Sequence, residues 1–399
     1  MDRSLVILSH VVHPAVTEGF LAAALRRQLP VVIISDHAQE HRRWLSHNLP
    51  DHEPLQVLEC DVFNPLAVIE TLNGHGIHPL AVFSNSDHLQ TATALVAETF
   101  DCPGKDWHLC YAAKNKAAMR ERLQRLGLPG PWFAVLTPGQ PVPADAPWPL
   151  VAKPREGVAS LDVQLCRDAA QLQAYCTQFW QQQPGRALLL EAYMEGPLFT
   201  LETLGDGHSL QAIGGFDVTL SAPPHFVELA ARWNGPISVT QRSAALAQVA
   251  AFGIHFGACH SEFILTEQGP MLVEINYRSI GDGREFLLDR LLPQGWFDRI
   301  LAVHLGHPLP LAQASSAEAL VHYLVADRAG RLARAAGSFN QQRGEHWCDY
   351  RALRHVGDDI ALSHSNKDYL GVLRLIAPDA KALDARFADT LDSLRWVMA

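Results

Sequence analysis

Between Gly257 and Gly283 the sequence reads GACHSEFILTEQGPMLVEINYRSIGDG, and several of its side chains suit a clamp for a cation and phosphate. HSEFILT and MLVEINYR each alternate polar and apolar residues, with Gly and Pro in the EQGP between them, the pattern of a β-hairpin. A turn centred near Gln268 sets Glu262 opposite Glu274 and His260 opposite Asn276. Facing carboxylates in a sheet repel, and a hard cation such as Mg²⁺ held between them removes the repulsion. Residues two apart share a strand face, so Asn276 and Arg278 extend the row begun by Glu274. Gly281 and Gly283 follow, where backbone can approach a ligand closely. A solvated surface hairpin with the same alternation is the competing reading, and a one-residue slip would turn one Glu to the other face.

Two further stretches carry phosphate chemistry. Lys153 ends an apolar run and precedes PREGVAS, so its ammonium and the N–H groups of a loop containing Gly157 and Ser160 can grip a phosphate. Only six lysines occur in the chain, which makes one placed between Val151-Ala152 and a glycine loop informative. Lys116, in a helical stretch, could reach a phosphate, face solvent or pair with a nearby acid. EAYMEG, from Glu191 to Gly196, closes the apolar run ALLL; a strand exit of this kind offers backbone groups to a purine edge and Tyr193 or Met194 to its ring, or is simply a strand-to-turn junction.

The elements that must carry these groups follow from periodicity. Runs at 4–9, 30–36, 56–62 and 79–87 read as strands, with a helix over 18–29, so residues 1–100 are expected to form a small parallel sheet. His10 and His13, just past the first strand, lie where a ligand could bind at the carboxyl end of that sheet, or are ordinary loop histidines. No G-x-G-x-x-G follows that strand, so a dinucleotide fold is unsupported. Helical spacing runs over 107–126, 168–180, 243–257, 284–293 and 294–304, and strands over PWFAVL, PLVAK, ALLLEA, PLFTLETL, 209–220 and 226–231. The tail is mixed, with VHYLVAD, LGVLRLIA and a final helix KALDARFADTLDSLRW.

With 399 residues, 48% hydrophobic and 19% charged, the composition is that of a globular protein of two or three units. A net charge of -10 argues against nonspecific binding to nucleic acid or to an anionic membrane. The N-terminal apolar run is too short for a signal or a membrane segment. Seven widely spaced cysteines without a C-x-x-C read as reduced thiols of a cytoplasmic protein. Among the twenty histidines the spacing shows no zinc pattern. A homodimer is left open.

Taken in order, KNKAAMRERLQRLGLPGPWF, LVAKPREGVAS, LLLEAYMEGPLFTLET and HSEFILTEQGPMLVEINYRSIGDG resemble the ATP-grasp superfamily of carboxylate–amine ligases, a likeness covering about residues 80–300. It implies an α/β (α+β) ATP-grasp fold: an N-terminal parallel α/β domain (1–110), a lid subdomain with the phosphate loop (111–192), a catalytic subdomain with the metal hairpin (193–305) and a C-terminal α/β extension (306–399). It implies ATP as co-substrate, held by Lys116, Lys153, Gly157, Ser160 and the hinge residues Glu191, Ala192 and Met194. Mg²⁺ (or Mn²⁺) falls to Glu262, Glu274 and Asn276, and Arg278 serves the transferred phosphoryl group and the substrate, with Gly281 and His260 also facing the substrate. The family's ribose carboxylate is replaced by Leu198, so Glu195 or Glu202 is the expected substitute. SAPPHFVELAARW is similar to a segment of bacterial L-amino-acid (dipeptide) ligases, in which a Glu, here Glu228, holds the amino group of the activated acid; the His frequent three residues later is Ala231. The phosphate loop is glycine-poor, with Ala159 and Leu161-Asp162 at positions where the family favours Gly and Arg-Gly. The resemblance therefore implies a ligase joining a small carboxylate to an amine through an acyl phosphate. The alternatives are a ligase of specialised metabolism using a non-amino-acid acid or amine, and a non-catalytic nucleotide-binding protein.

Overall fold

A computed structural model describes residues 3–52, 54–157, 159–309 and 317–399. The four N-terminal apolar runs become β1 (Arg3–Leu8), β2 (Val31–Ser35), β3 (Gln56–Glu59) and β4 (His78–Phe83), which form a parallel sheet in the order β3-β2-β1-β4. Every residue of β2 and all but the first of β1 are buried, as expected of a parallel sheet covered on both faces. The cover is α1 (Leu21–Arg26), α2 (Ala38–Asn48), α3 (Pro65–Gly74) and α4 (Gln90–Thr99). The first helix begins earlier than its spacing suggests: a π-helical turn, Ala15–Phe20, leads into α1.

The helical spacing over 107–126 is not one helix. α5 (Trp107–Lys114) stops and α6 (Lys116–Arg125) restarts, because Asn115 adopts an extended conformation and its side chain accepts the N–H groups of Ala117 and Ala118. Both halves keep their apolar spacing, which hid the break. Next come β5 (Phe133–Leu136), β6 (Leu150–Pro154), β7 (Gln164–Cys166), α7 (Ala169–Gln182) and β8 (Leu188–Ala192), with an antiparallel sheet ordered β5-β8-β6-β7. Leu150, Ala152, Leu172, Phe179, Leu188 and Leu190 pack α7 onto it.

The remaining elements build a large antiparallel sheet. They are β9 (Leu198–Asp206), β10 (Leu210–Gly214), β11 (Phe216–Leu220), β12 (Glu228–Trp233), α8 (Pro236–Phe252), β13 (Phe256–Thr266), β14 (Gly269–Asn276), α9 (Arg284–Leu291) and α10 (Trp296–His304). Beyond the 310–316 stretch follow β15 (Glu318–Val325), β16 (Gly330–Arg334), β17 (Phe339–Arg343), β18 (His346–Ala352), β19 (Asp359–Ile360), β20 (Tyr369–Ala377), α11 (Ala380–Ser393) and β21 (Val397–Met398). The sheet runs β14-β13-β9-β11-β12-β15-β20-β18-β17, with β10 on β9, while β19-β16-β21 form a small separate sheet. The helix expected over 243–257 instead runs from Pro236 to Phe252, where Gly253, in the left-handed region, ends it; Phe256 and Gly257 belong to β13.

One core joins the N-terminal sheet to the large one: Phe20 and Phe83 pack with Phe297, Trp296, Leu287 and Leu301. Gly19 is required at this junction, since a Cβ there would meet the Phe297 ring at 2.5 Å. Among the described residues no helix is long and apolar enough to cross a membrane.

Candidate active site

The hairpin of β13 and β14 turns at Glu267–Gln268, and Thr266 pairs with Gly269. Counting back from that two-residue turn would put Glu262 opposite Val273. A β-bulge between Glu262 and Phe263 adds one residue to β14, and beyond it Glu262 faces Glu274 and His260 faces Asn276. The register expected from a turn centred on Gln268 thus holds at the acidic end and fails near the turn, where Ile264 pairs with Met271. The bulge re-aims side chains at the working end of the hairpin.

A cleft, partly open to solvent, lies between the β5–β8 sheet and this hairpin. Lys116, Lys153, Gly157, Ser160, Glu191, Ala192, Met194, Glu228, Glu262 and Glu274 all line it. The capping of α6 by Asn115 puts Lys116 at the helix start, where its Nζ donates to Glu274 Oε1 at 2.7 Å and to the Gly157 carbonyl at 3.0 Å. Of the three fates open to Lys116 from sequence, pairing with an acid is the one seen. Burial lowers the pKa of this ammonium, but Glu274 outweighs it and the net shift is upward.

Beneath the cleft lies a buried ion cluster. Glu191 accepts from Arg120 Nε at 2.5 Å through one oxygen and sits 2.5 Å from Lys153 Nζ through the other. Burial alone would raise the Glu191 carboxyl; Arg120 and Lys153 reverse this and hold it at about 2. The Lys153 ammonium is pushed down by burial, against the attraction of Glu191. Arg120 also donates to the carbonyls of Leu272 at 2.6 Å and of Val273, the bulged residue, at 2.8 Å. One guanidinium thus ties α6 to the hinge and to the bulge, a link that sequence reasoning missed because Arg120 sits in RERLQR, which reads as a solvated helix face. With its carboxylate engaged in this way, Glu191 can offer a nucleotide its backbone and little else.

At the hinge, Gly196 is forced: with φ at +150°, a Cβ there would lie 2.1 Å from the Leu265 carbonyl oxygen. Glu195 is exposed on the same turn, outside the lining residues. Glu202 lies fully buried on β9 and pairs across the sheet with His260. Neither expected ribose carboxylate therefore lines the cleft, which is apolar at Leu198. The glycine-poor loop after β6 is strained, because Ala159, Ser160 and Asp162 all take left-handed φ values between 53° and 58°. Asp162 is pinned by Tyr175 and Gln183, and the Ala159 carbonyl accepts from the Asn366 N–H.

The acidic row has its charge compensated by side chains. His260 Nδ1 lies 2.8 Å from Glu202 Oε1, and its Nε2 lies 3.3 Å from Glu262 Oε1. Burial disfavours its charged form, yet the two carboxylates raise it to about 9. Asn276 Nδ2 donates to Glu262 Oε1 at 3.3 Å. Two carboxylates from facing strands and an amide oxygen form an all-oxygen donor set, which suits Mg²⁺; Lys116 and His260 supply positive charge beside it. Arg278 reaches Asn276 Oδ1 at 3.4 Å and Asp87 Oδ1 at 3.7 Å. Asp87 comes from the loop after β4, is bridged to Lys114 at 2.5 Å, and is held near 2 by Arg278 and Lys114 against the effect of burial. Glu228 faces the cleft but is already paired with Arg284 at 2.8 Å. Its backbone is fixed by Asn366 and Tyr369 from the C-terminal segment. Gly281, on the loop after β14, lies outside the cleft lining. Asp87, Arg284, Asn366 and Tyr369 were not singled out from the sequence; the folded chain brings them to the site.

No protein-family model matches the sequence. An uncharacterized protein, y4rH, of Sinorhizobium fredii is 26% identical over 394 residues, 95% of this chain and 80% of that protein. Carnosine synthase 1 of Gallus gallus is 29% identical over 244 residues, 54% of this chain, and the match spans only 26% of that longer protein. Among solved structures, an L-amino acid ligase from Bacillus licheniformis superposes with a TM-score of 0.77 at 19% identity, over 100% of this chain and 99% of that one. A parallel N-terminal sheet leading into two antiparallel sheets that enclose a lysine-lined cleft is thus an ATP-grasp fold, shared with that L-amino acid ligase.

Proposed function

We propose that this protein is an ATP-dependent carboxylate–amine ligase, and that the reaction proceeds through an acyl phosphate. The observation that carries this reading is the convergence of Lys116, Lys153, Glu262 and Glu274 on one cleft, with Asn276 and Arg278 continuing the acidic row. Lys116 and Lys153 hold phosphate oxygens of the nucleotide, whose base lies against Ala192 and Met194. Glu262, Glu274 and Asn276 are the residues that would hold Mg²⁺, which when bound neutralises charge on the transferring phosphate. Arg278 stabilises charge on the moving phosphoryl group and on the tetrahedral species that follows amine attack. The loop at 154–162 excludes water, which would hydrolyse the acyl phosphate. We assign the lid to 111–192 and the catalytic unit to 193–305.

The preferred acid is an amino acid with its ammonium at Glu228. The Arg284–Glu228 pair favours a second reading, in which the carboxylate is already neutralised and the acid need not carry an amine. Both readings are tested by Mg-dependent phosphate release from ATP across amino acids, singly and in pairs, and then across acids without an amine. Release requiring two amino acids supports the first reading. Release only with the second set supports the other, and silence in both with ATP binding intact rejects ligase chemistry.

A further inference from the structure

We propose a second metal site, for a transition-metal ion such as Zn²⁺, formed by His10, Asp36 and His37 at the carboxyl edge of the N-terminal sheet. β1 and β2 pair in parallel with Leu8 beside Ile34, so two residues further on His10 and Asp36 leave the sheet level with each other, and His37 follows. One ligand atom from each of the three residues lies within 4.8 Å of the others. A tetrahedral ion with bonds of about 2.0–2.1 Å brings such atoms to roughly 3.4 Å apart, a rotamer-scale movement for half-exposed side chains.

The backbone under the site is fixed. Ser35, fully buried, donates its Oγ to the His10 carbonyl at 3.0 Å and accepts the His37 N–H at 3.0 Å, binding both loops to one hydroxyl. His10 Nδ1 already lies 2.7 Å from Asp36 Oδ2, and its ring meets the edges of His37 and of Phe63, which forms an apolar flank. Glu40, on α2, is 3.5 Å from His37 Nδ1, the kind of carboxylate that orients a ligating imidazole through its other nitrogen. Two imidazoles and a carboxylate with a solvent-facing fourth position suit Zn²⁺, Co²⁺ or Ni²⁺ and do not suit Mg²⁺. The site is thus chemically distinct from the all-oxygen row in the cleft. The sequence did not show it because its ligands come from two loops 26 residues apart.

The test is Zn²⁺ binding to the full chain by equilibrium dialysis in millimolar Mg²⁺, with Co²⁺ absorption reporting coordination. One tightly retained Zn²⁺ per chain is expected. His10→Ala and His37→Ala should each weaken binding by roughly 10-fold or more with the circular dichroism unchanged, and Glu262→Gln should leave it unaltered. Absence of bound Zn²⁺, or binding that persists in both histidine variants, would overturn the proposal.

Discussion

At the scale of single residues, buried charge sets the site. Arg120 and Lys153 share one carboxylate, Glu191, and all three are buried. Removing Arg120 leaves Glu191 paired with Lys153 alone and takes the donor from the Leu272 and Val273 carbonyls, so Arg120→Met is expected to destabilise the fold by about 2–4 kcal/mol in urea unfolding. Arg278 has a different role: Arg278→Met should lower kcat by about 100-fold or more with ATP affinity changed only slightly, and equal losses in both would contradict its assigned role. Glu285, buried on α9 with no hydrogen-bond partner at Oε2 among the described residues, is raised by burial from 4.5 to about 7. The folded state therefore holds this proton more tightly than the unfolded chain. The associated stability is present below about 4.5 and is lost as pH rises toward 7. Glu285→Gln should match the parent near pH 4.5 and exceed it by about 1–3 kcal/mol at about pH 8, as read from unfolding midpoints. The acidic row was legible because alternation and residue type suffice to mark it. Arg120 was not, because nothing local distinguishes a buried arginine from a solvated one.

At the scale of elements, short irregularities position the side chains. The break at Asn115 sets Lys116 at the start of α6, and the bulge at Val273 brings Glu262 and Glu274 face to face. Asn115→Ala removes an N-cap, for an expected loss of about 1 kcal/mol, and should raise KM for ATP more than it lowers kcat. Both features lay below the resolution of the sequence: a capping Asn interrupts a helical pattern without disturbing its period, and a bulge is invisible until the partner strand is known. A further tie joins α4 to the site. Lys105 Nζ donates to Gln90 Oε1 at 2.7 Å and to the Tyr277 carbonyl at 2.5 Å, beside Arg278. Gln90 in turn donates to the carbonyls of Ser84 and Ser86 in the loop that carries Asp87. Lys105→Met should lower kcat while leaving ATP affinity near the parent value, as measured by isothermal titration.

At the scale of the whole molecule, two antiparallel sheets enclose one cleft, and the N-terminal sheet packs against the larger of them. The motifs that line the cleft were legible in the sequence because each is contiguous. Contacts made across more than a hundred residues, such as Asn366 and Tyr369 on Glu228, were beyond it, because those pairings exist only once the large sheet has formed. The loop carrying left-handed Ala159, Ser160 and Asp162 was half legible: the missing glycines were visible, while the strained conformation was not. The central claim is that a carboxylate oxygen attacks ATP in this cleft. Its most direct test is Mg-ATP turnover with substrates labelled with ¹⁸O in the carboxylate, followed by mass analysis of phosphate and product. Phosphate carrying one ¹⁸O, formed together with a condensation product one water lighter than its parts, is the expected result. ADP formation with unlabelled phosphate, or no turnover across the acid and amine panels while ATP still binds, would contradict the account.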